Sequence, residues 1–181
     1  MDASAIAIDV ATTADVPALE ALIAASARAL SRGFYTEAET EAAITHVFGV
    51  DSDLIADGSY LVARLDGVLA GCGGWSARQT LFGGDRFAAR ETGRLDPAVD
   101  AARIRAFFVA PGAARRGVGA ALLAACEAAA AAAGFTRTAL MATLPGVPLY
   151  RHHGYVPAAP TMLDLGGTRV EFVPMSKKLL Q

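Results

Sequence analysis

The chain has 181 residues, of which 54% are hydrophobic and 19% charged. That balance excludes a disordered polypeptide and fits one compact domain over residues 1–181. Sixteen basic against eighteen acidic side chains leave a net charge of −2, so the bulk positive field that non-specific nucleic-acid binding needs is missing, while a locally basic site for a small anion stays compatible.

Residues 5–10 alternate Ile6, Ile8 and Val10 with smaller or polar residues, as a strand does. Residues 1–4 carry no basic segment, and Asp9, Asp15 and Glu20 break the apolar run behind them, so a signal peptide is not expected. Thr12, Thr13 and Asp15 offer capping side chains to a helix bearing Leu19, Leu22, Ile23 and Leu30, which Gly33 ends. Thr36-Glu37-Ala38-Glu39 has capping-box spacing and opens a second helix with Ile44, Val47 and Phe48; His46 on that helix is expected to pack. Asp66-Gly67 between the apolar runs 60–65 and 68–75 predicts a hairpin, with Trp75 read as a core residue.

Residues 79–100 hold Gly83-Gly84, Gly93, Pro97 and charges of both signs, and read as a long loop of the kind that carries function. A strand follows over 103–109, then a glycine-containing turn and a long alanine-rich helix to Ala133, stopped by Gly134. Residues 136–141 read as a strand and 148–153 as a short helix. The runs 161–165 and 170–175 are joined by Gly166-Gly167 as a last hairpin. The order is that of one mixed α/β fold without linker or repeat. Cys72 and Cys126 stand apart in apolar company and read as buried free thiols, and no Cys/His spacing suits a metal. The segment 118–133 is too short, and too interrupted by Glu127, to span a membrane, so a cytoplasmic protein is expected. Abundant alanine, and arginine at fourteen of the sixteen basic positions, associate with a GC-rich and therefore bacterial source.

The chemistry concentrates at Phe107-Phe108-Val109-Ala110-Pro111, followed by Ala114-Arg115-Arg116-Gly117-Val118-Gly119-Ala120. A strand delivers the chain to a loop whose glycines allow close approach to a ligand. The loop opens a helix whose first amides are unpaired and whose dipole is positive at that end. Two arginines at the same point are unfavourable without an anion, so a phosphate-bearing ligand is expected. No Gly-Lys-Ser/Thr follows, which removes the P-loop reading. The central position and the lack of a later acid remove the dinucleotide-binding fingerprint.

This stretch resembles the pyrophosphate loop of the GNAT family of N-acetyltransferases, Gln/Arg-x-x-Gly-x-Gly/Ala after an apolar-Val-x-Pro strand end. Leu149-Tyr150-Arg151-His152-His153-Gly154-Tyr155 resembles the family's later Tyr and Gly-aromatic pattern. The resemblance covers residues 59–155. It implies a mixed α/β (α+β) domain with a mostly antiparallel sheet of six to seven strands, flanked by helices and splayed between the fourth and fifth strands. It implies acetyl-CoA as cosubstrate and transfer to a small-molecule or peptide amine, with a homodimer allowed; the charge balance, apolar pattern and Cys/His spacing leave no nucleic acid, membrane or metal expected.

Residue by residue, the resemblance gives the amides of Arg115, Arg116, Gly117, Val118, Gly119 and Ala120 to the pyrophosphate. It gives the stretch Phe107, Phe108 and Val109 to the pantetheine arm, the Phe107 amide to the thioester oxyanion, and Tyr150 to the departing thiolate. Three positions depart from the family pattern. Ala114 stands for the loop's first Gln/Arg, Thr143 for an Asn after the fifth strand, and Arg103 for a Glu base. Phe34, Tyr35 and the 79–100 loop are expected to shape the acceptor pocket, with Glu91, Asp96 and Asp100 as acids that relay a proton through water. His152 and His153 are read as surface or structural. Two rivals share the fold: a catalytically silent CoA-binding sensor, motivated by the missing Glu, and a toxin that acetylates charged tRNA, disfavoured by the charge balance.

Overall fold

A computed structural model describes residues 5–180; residues 1–4, which enter the signal-peptide reading, lie outside the described part. The elements in order are β1 (Ile6–Val10), α1 (Val16–Leu30), α2 (Glu37–His46), α3 (Ser52–Ala56), β2 (Tyr60–Leu65), β3 (Val68–Ser76) and β4 (Ala102–Val109). They continue with α4 (Val118–Ala132), β5 (Arg137–Thr143), α5 (Val147–His152), β6 (Val156–Pro157), β7 (Thr161–Leu165) and β8 (Thr168–Lys178).

Local chemistry accounts for most boundaries. The capping box at α2 is complete: Glu39 N–H donates to Thr36 Oγ1 at 3.1 Å, and Thr36 N–H donates to the Glu39 carboxylate at 2.7 Å. Asp66 and Gly67 both take positive φ, 52° and 82°, as the tight β2–β3 turn requires. The five-residue α3 was not expected, being too short to show a period. Its signal was Asp51, whose carboxylate accepts from Asp53 N–H at 3.1 Å and Leu54 N–H at 3.4 Å.

The sheet order is β1-β2-β3-β4-β5-β8-β6, with β7 also on β8. Seven strands have five residues or more, and the two-residue β6 is the eighth. Every pairing is antiparallel except β4–β5, which is parallel and limited to Ala102↔Thr138 and Arg103↔Ala139. Beyond Arg103 the two strands splay, β4 staying on β3 and β5 on β8 as far as Thr143↔Phe172.

Strand alternation divides the core between two faces. Val62 and Cys72 pack with Leu19, Leu22 and Ile23 of α1, while Ala63, Leu65 and Ala70 pack with Val118 and Leu122 of α4. Cys72 and Cys126 are buried free thiols, as expected, and burial pushes both up to about 12, which leaves them inert. His46 lies against Gly166 at the β7–β8 turn but stays exposed, because α2 ends there and its inner face passes to Val47 and Phe48. Trp75 is half-buried, edge-on to Phe135 at 6.3 Å. No helix among the described residues is long and apolar enough to cross a membrane.

Candidate functional site

The splay originates in β4 itself. On β3 the single residue Gly73 faces both Ala106 and Phe107 of β4, a bulge that shifts the register between Cys72 and Gly74. Ala106 takes φ 52° to make it. Its carbonyl is pinned by the Tyr60 hydroxyl at 3.2 Å and the Cys72 thiol at 3.7 Å. A Cβ on residue 73 would overlap the Phe107 ring, so glycine is what lets that ring lie over β3.

Past the bulge, Ala110 N–H donates to Ala70 O on β3 at 2.8 Å. By strand alternation the N–H groups of Val109 and Phe107 then face the opposite side, into the splay. Phe108 pairs with Cys72, so its main chain turns to β3 and its ring toward Phe48, 5.2 Å between centroids.

The turn after β4 presents its amides at the same place. Arg115 and Gly117 take φ 60° and 85° on either side of Arg116, a nest of alternating hand. Arg116 N–H reaches Ala113 O at 3.3 Å, and the first bond of α4 runs from Ala121 N–H to Gly117 O at 3.0 Å. Among the described residues, the N–H groups of Arg115, Gly117, Val118, Gly119 and Ala120 have no main-chain acceptor. No side chain caps α4. The Arg115 and Arg116 side chains are exposed here, and Ala114 is half-buried at the loop entry.

Three elements converge on Gly119. A Cβ there would stand 3.0 Å from Leu149 Cδ2 on α5 and 3.7 Å from Val109 Cγ2 on β4. Tyr150, next to Leu149, is therefore brought beside the splay. It is buried, with its ring 6.2 Å from Phe107 and 5.7 Å from Tyr155. Its hydroxyl makes no hydrogen bond within the described residues, and burial raises its pKa well above the ordinary phenol value.

A cavity of about 60 Å³ lies alongside. Residues 105–108 of β4, Thr143, Tyr150 and Phe172 line it, with residues 82–84 of the long loop. Thr143 Oγ1 accepts from Gly146 N–H at 3.3 Å, so its hydroxyl keeps a donor to offer. Tyr35 braces one side: its hydroxyl donates to Glu171 O at 2.5 Å, accepts from Leu144 N–H at 3.0 Å, and burial pushes it up to about 12.

Other sequence candidates fall elsewhere. Phe34 is exposed and off the cavity. Arg103 is half-buried, its Nε donating to Gln79 O at 3.3 Å. Glu91, Asp96 and Asp100 do not line the cavity: Asp100 accepts from Asp96 N–H at 2.7 Å and Asp96 from Ala98 N–H at 2.9 Å, so both acids build the loop. No described lining residue is a carboxylate.

Sequence reading missed the charged cluster behind the cavity. Arg105 and Asp51 form an ion pair with both side chains fully buried. Arg90 joins Asp51 at 3.2 Å and Asp53 at 2.6 Å. Fifty-four positions separate Asp51 from Arg105, and no local pattern announces the pair.

Comparison with known proteins fits this geometry. A GCN5-related N-acetyltransferase from Rhodopseudomonas palustris, also named "Aminotransferase, Class-II", superposes with a TM-score of 0.70 at 21% identity, over 99% of this chain and 98% of that one. The PaiA N-acetyltransferase of Thermoplasma acidophilum, in complex with coenzyme A, gives 0.62 at 17% identity over 97% and 99%. YncA from Salmonella typhimurium, a putative acetyltransferase with acetyl-CoA, gives 0.63 at 17% over 98% and 96%. These likenesses define the class of fold. The Acetyltransferase (GNAT) family matches residues 20–155, and the chain belongs to that family. No curated protein matches the sequence.

Proposed function

We propose that this chain transfers an acetyl group from acetyl-CoA to a primary amine by direct attack in a ternary complex. The observation that carries the reading is the meeting of an open β4 edge with five unpaired amides at the start of α4. The amides of Arg115 and of Gly117 through Ala120 hold the pyrophosphate, with Arg115 and Arg116 adding charge at the mouth. The Val109 and Phe107 main chain holds the pantetheine arm as an added strand. Phe107 N–H then donates to the thioester oxygen as charge develops on it.

The thioester is already activated, so orientation, an oxyanion donor and a proton exit suffice. As the C–N bond forms and the C–S bond breaks, Tyr150 gives its proton to the sulfur, and the amine's proton leaves to water. A buried phenol is a weaker acid than a free one, but a thiolate in the same surroundings is also a stronger base. Desolvation raises both pKa values, as burial does for the Cys72 and Cys126 thiols, so the proton transfer stays matched.

The carboxylate-free cavity favours one second reading, a CoA-binding sensor without turnover. Titration calorimetry with acetyl-CoA, followed by thiol release over an amine panel, separates the two: tight binding with no release selects the sensor. Gly119→Glu tests the cofactor placement. An acid in the first turn of α4 suits the helix dipole, but its Cβ would stand 3.0 Å from Leu149 Cδ2, so Tm is measured beside binding; the carboxylate occupies the phosphate position, and in the folded variant acetyl-CoA binding should fall by at least about 100-fold. Unchanged binding would place the coenzyme elsewhere.

A further inference from the structure

Among the described residues that line the cavity, Arg105 alone is charged. Its Nη2 is spent on Asp51 and, at 3.4 Å, on Gly83 O. Its Nε and Nη1 are buried without any acceptor, which leaves three N–H bonds unmet. Asp51 cannot turn to them, because it already accepts from Asp53, Leu54 and Arg90. Unmet donors on a buried guanidinium are costly, and because Arg105 is a lining residue, an oxygen acceptor bound in the cavity would relieve them.

We infer that Arg105 receives the carboxylate of the acceptor, so that the amine substrate is an amino acid or similar aminocarboxylate and not an oligocation such as a polyamine. The inference rests on the N-acetyltransferase reading and names its substrate class. A polycation would meet one guanidinium and no acid in this cavity. An aminocarboxylate matches both needs: its carboxylate fills the vacant donors, and its amine stands near Phe107, two residues further along β4. The cavity, of about 60 Å³, is bounded by Arg105 on the same strand as Phe107.

The test is acetyl transfer by the wild-type chain to matched acceptors compared at equal free-amine concentration. The triplets are alanine, alaninamide and ethylamine; methionine, methioninamide and 3-(methylthio)propylamine; and 3-aminopropanoate, 3-aminopropanamide and ethylamine. In at least one triplet the carboxylate member should lead both others in kcat/KM by about tenfold or more. Equal or reversed order in all triplets, or transfer to spermidine alone, would overturn the inference and leave the acetyltransferase reading standing. Acetyl-CoA binding without transfer to any of these amines would sink both. Arg105→Lys supplies a second readout: charge is kept and the Nε and Nη1 donors are lost, so the carboxylate preference should collapse while acetyl-CoA Kd stays put. If that variant does not fold, the triplet comparison alone decides.

Discussion

Tyr150 shows how much one side chain draws from its neighbours. Its ring is held between Phe107 and Tyr155, and its hydroxyl is left without a partner at the cavity. Tyr150→Phe keeps the ring contacts and removes only the hydroxyl. The expected result is a fall in kcat of about 100-fold with acetyl-CoA affinity nearly unchanged, read by thiol release and calorimetry. Equal turnover would end the assigned role. Tyr150 could be marked in the sequence through the Gly154-Tyr155 that follows it. Arg105 could not be, because an arginine inside a strand looks the same whether it points to water or, as here, into the core against Asp51.

At the scale of elements, the site depends on β4 leaving β5. The bulge at Ala106 and Phe107 bends the strand, and Gly73 makes room for the ring that the bulge displaces. Gly73→Ala should push Phe107 off β3 and move its N–H. The expectation is a loss of about 1–3 kcal/mol in stability, typical of overpacking, and a fall in kcat/KM of at least about tenfold. Denaturant unfolding and steady-state rates measure the two effects, and a variant with wild-type values in both would show that the ring has another place to go. The helix entrance was legible because Gly117 and Gly119 sit at their loop positions in sequence. The bulge was not, since Ala106 carries no mark of the left-handed φ it adopts.

For the whole molecule, the sheet separates two apolar layers that keep several acidic-proton groups in their neutral form. Cys72, Cys126 and Tyr35 are each pushed up to about 12, and burial raises Tyr60, Tyr150 and Tyr155 as well. In the unfolded chain the thiols and phenols ionise near their ordinary values, 9.0 and 10.0. Above those values the unfolded state sheds protons that the folded state retains, so unfolding becomes more favourable. Stability should be fully present below about pH 9 and decline as pH rises toward about 12, seen as a falling urea midpoint. A midpoint that stays level over that range would contradict the burial of these groups.

The sequence by itself determined the mixed α/β order, the β2–β3 turn at Asp66-Gly67, the capping box of α2 and the glycine loop that opens α4. Each is encoded in neighbouring residues, where φ preference, capping and the helix dipole act over a few positions. Only the tertiary structure decided where β4 and β5 part, which rings close the cavity and that Asp51 meets Arg105. Those features come from residues brought together across many positions of chain, where pairing and burial act on groups that carry no local mark of their partners.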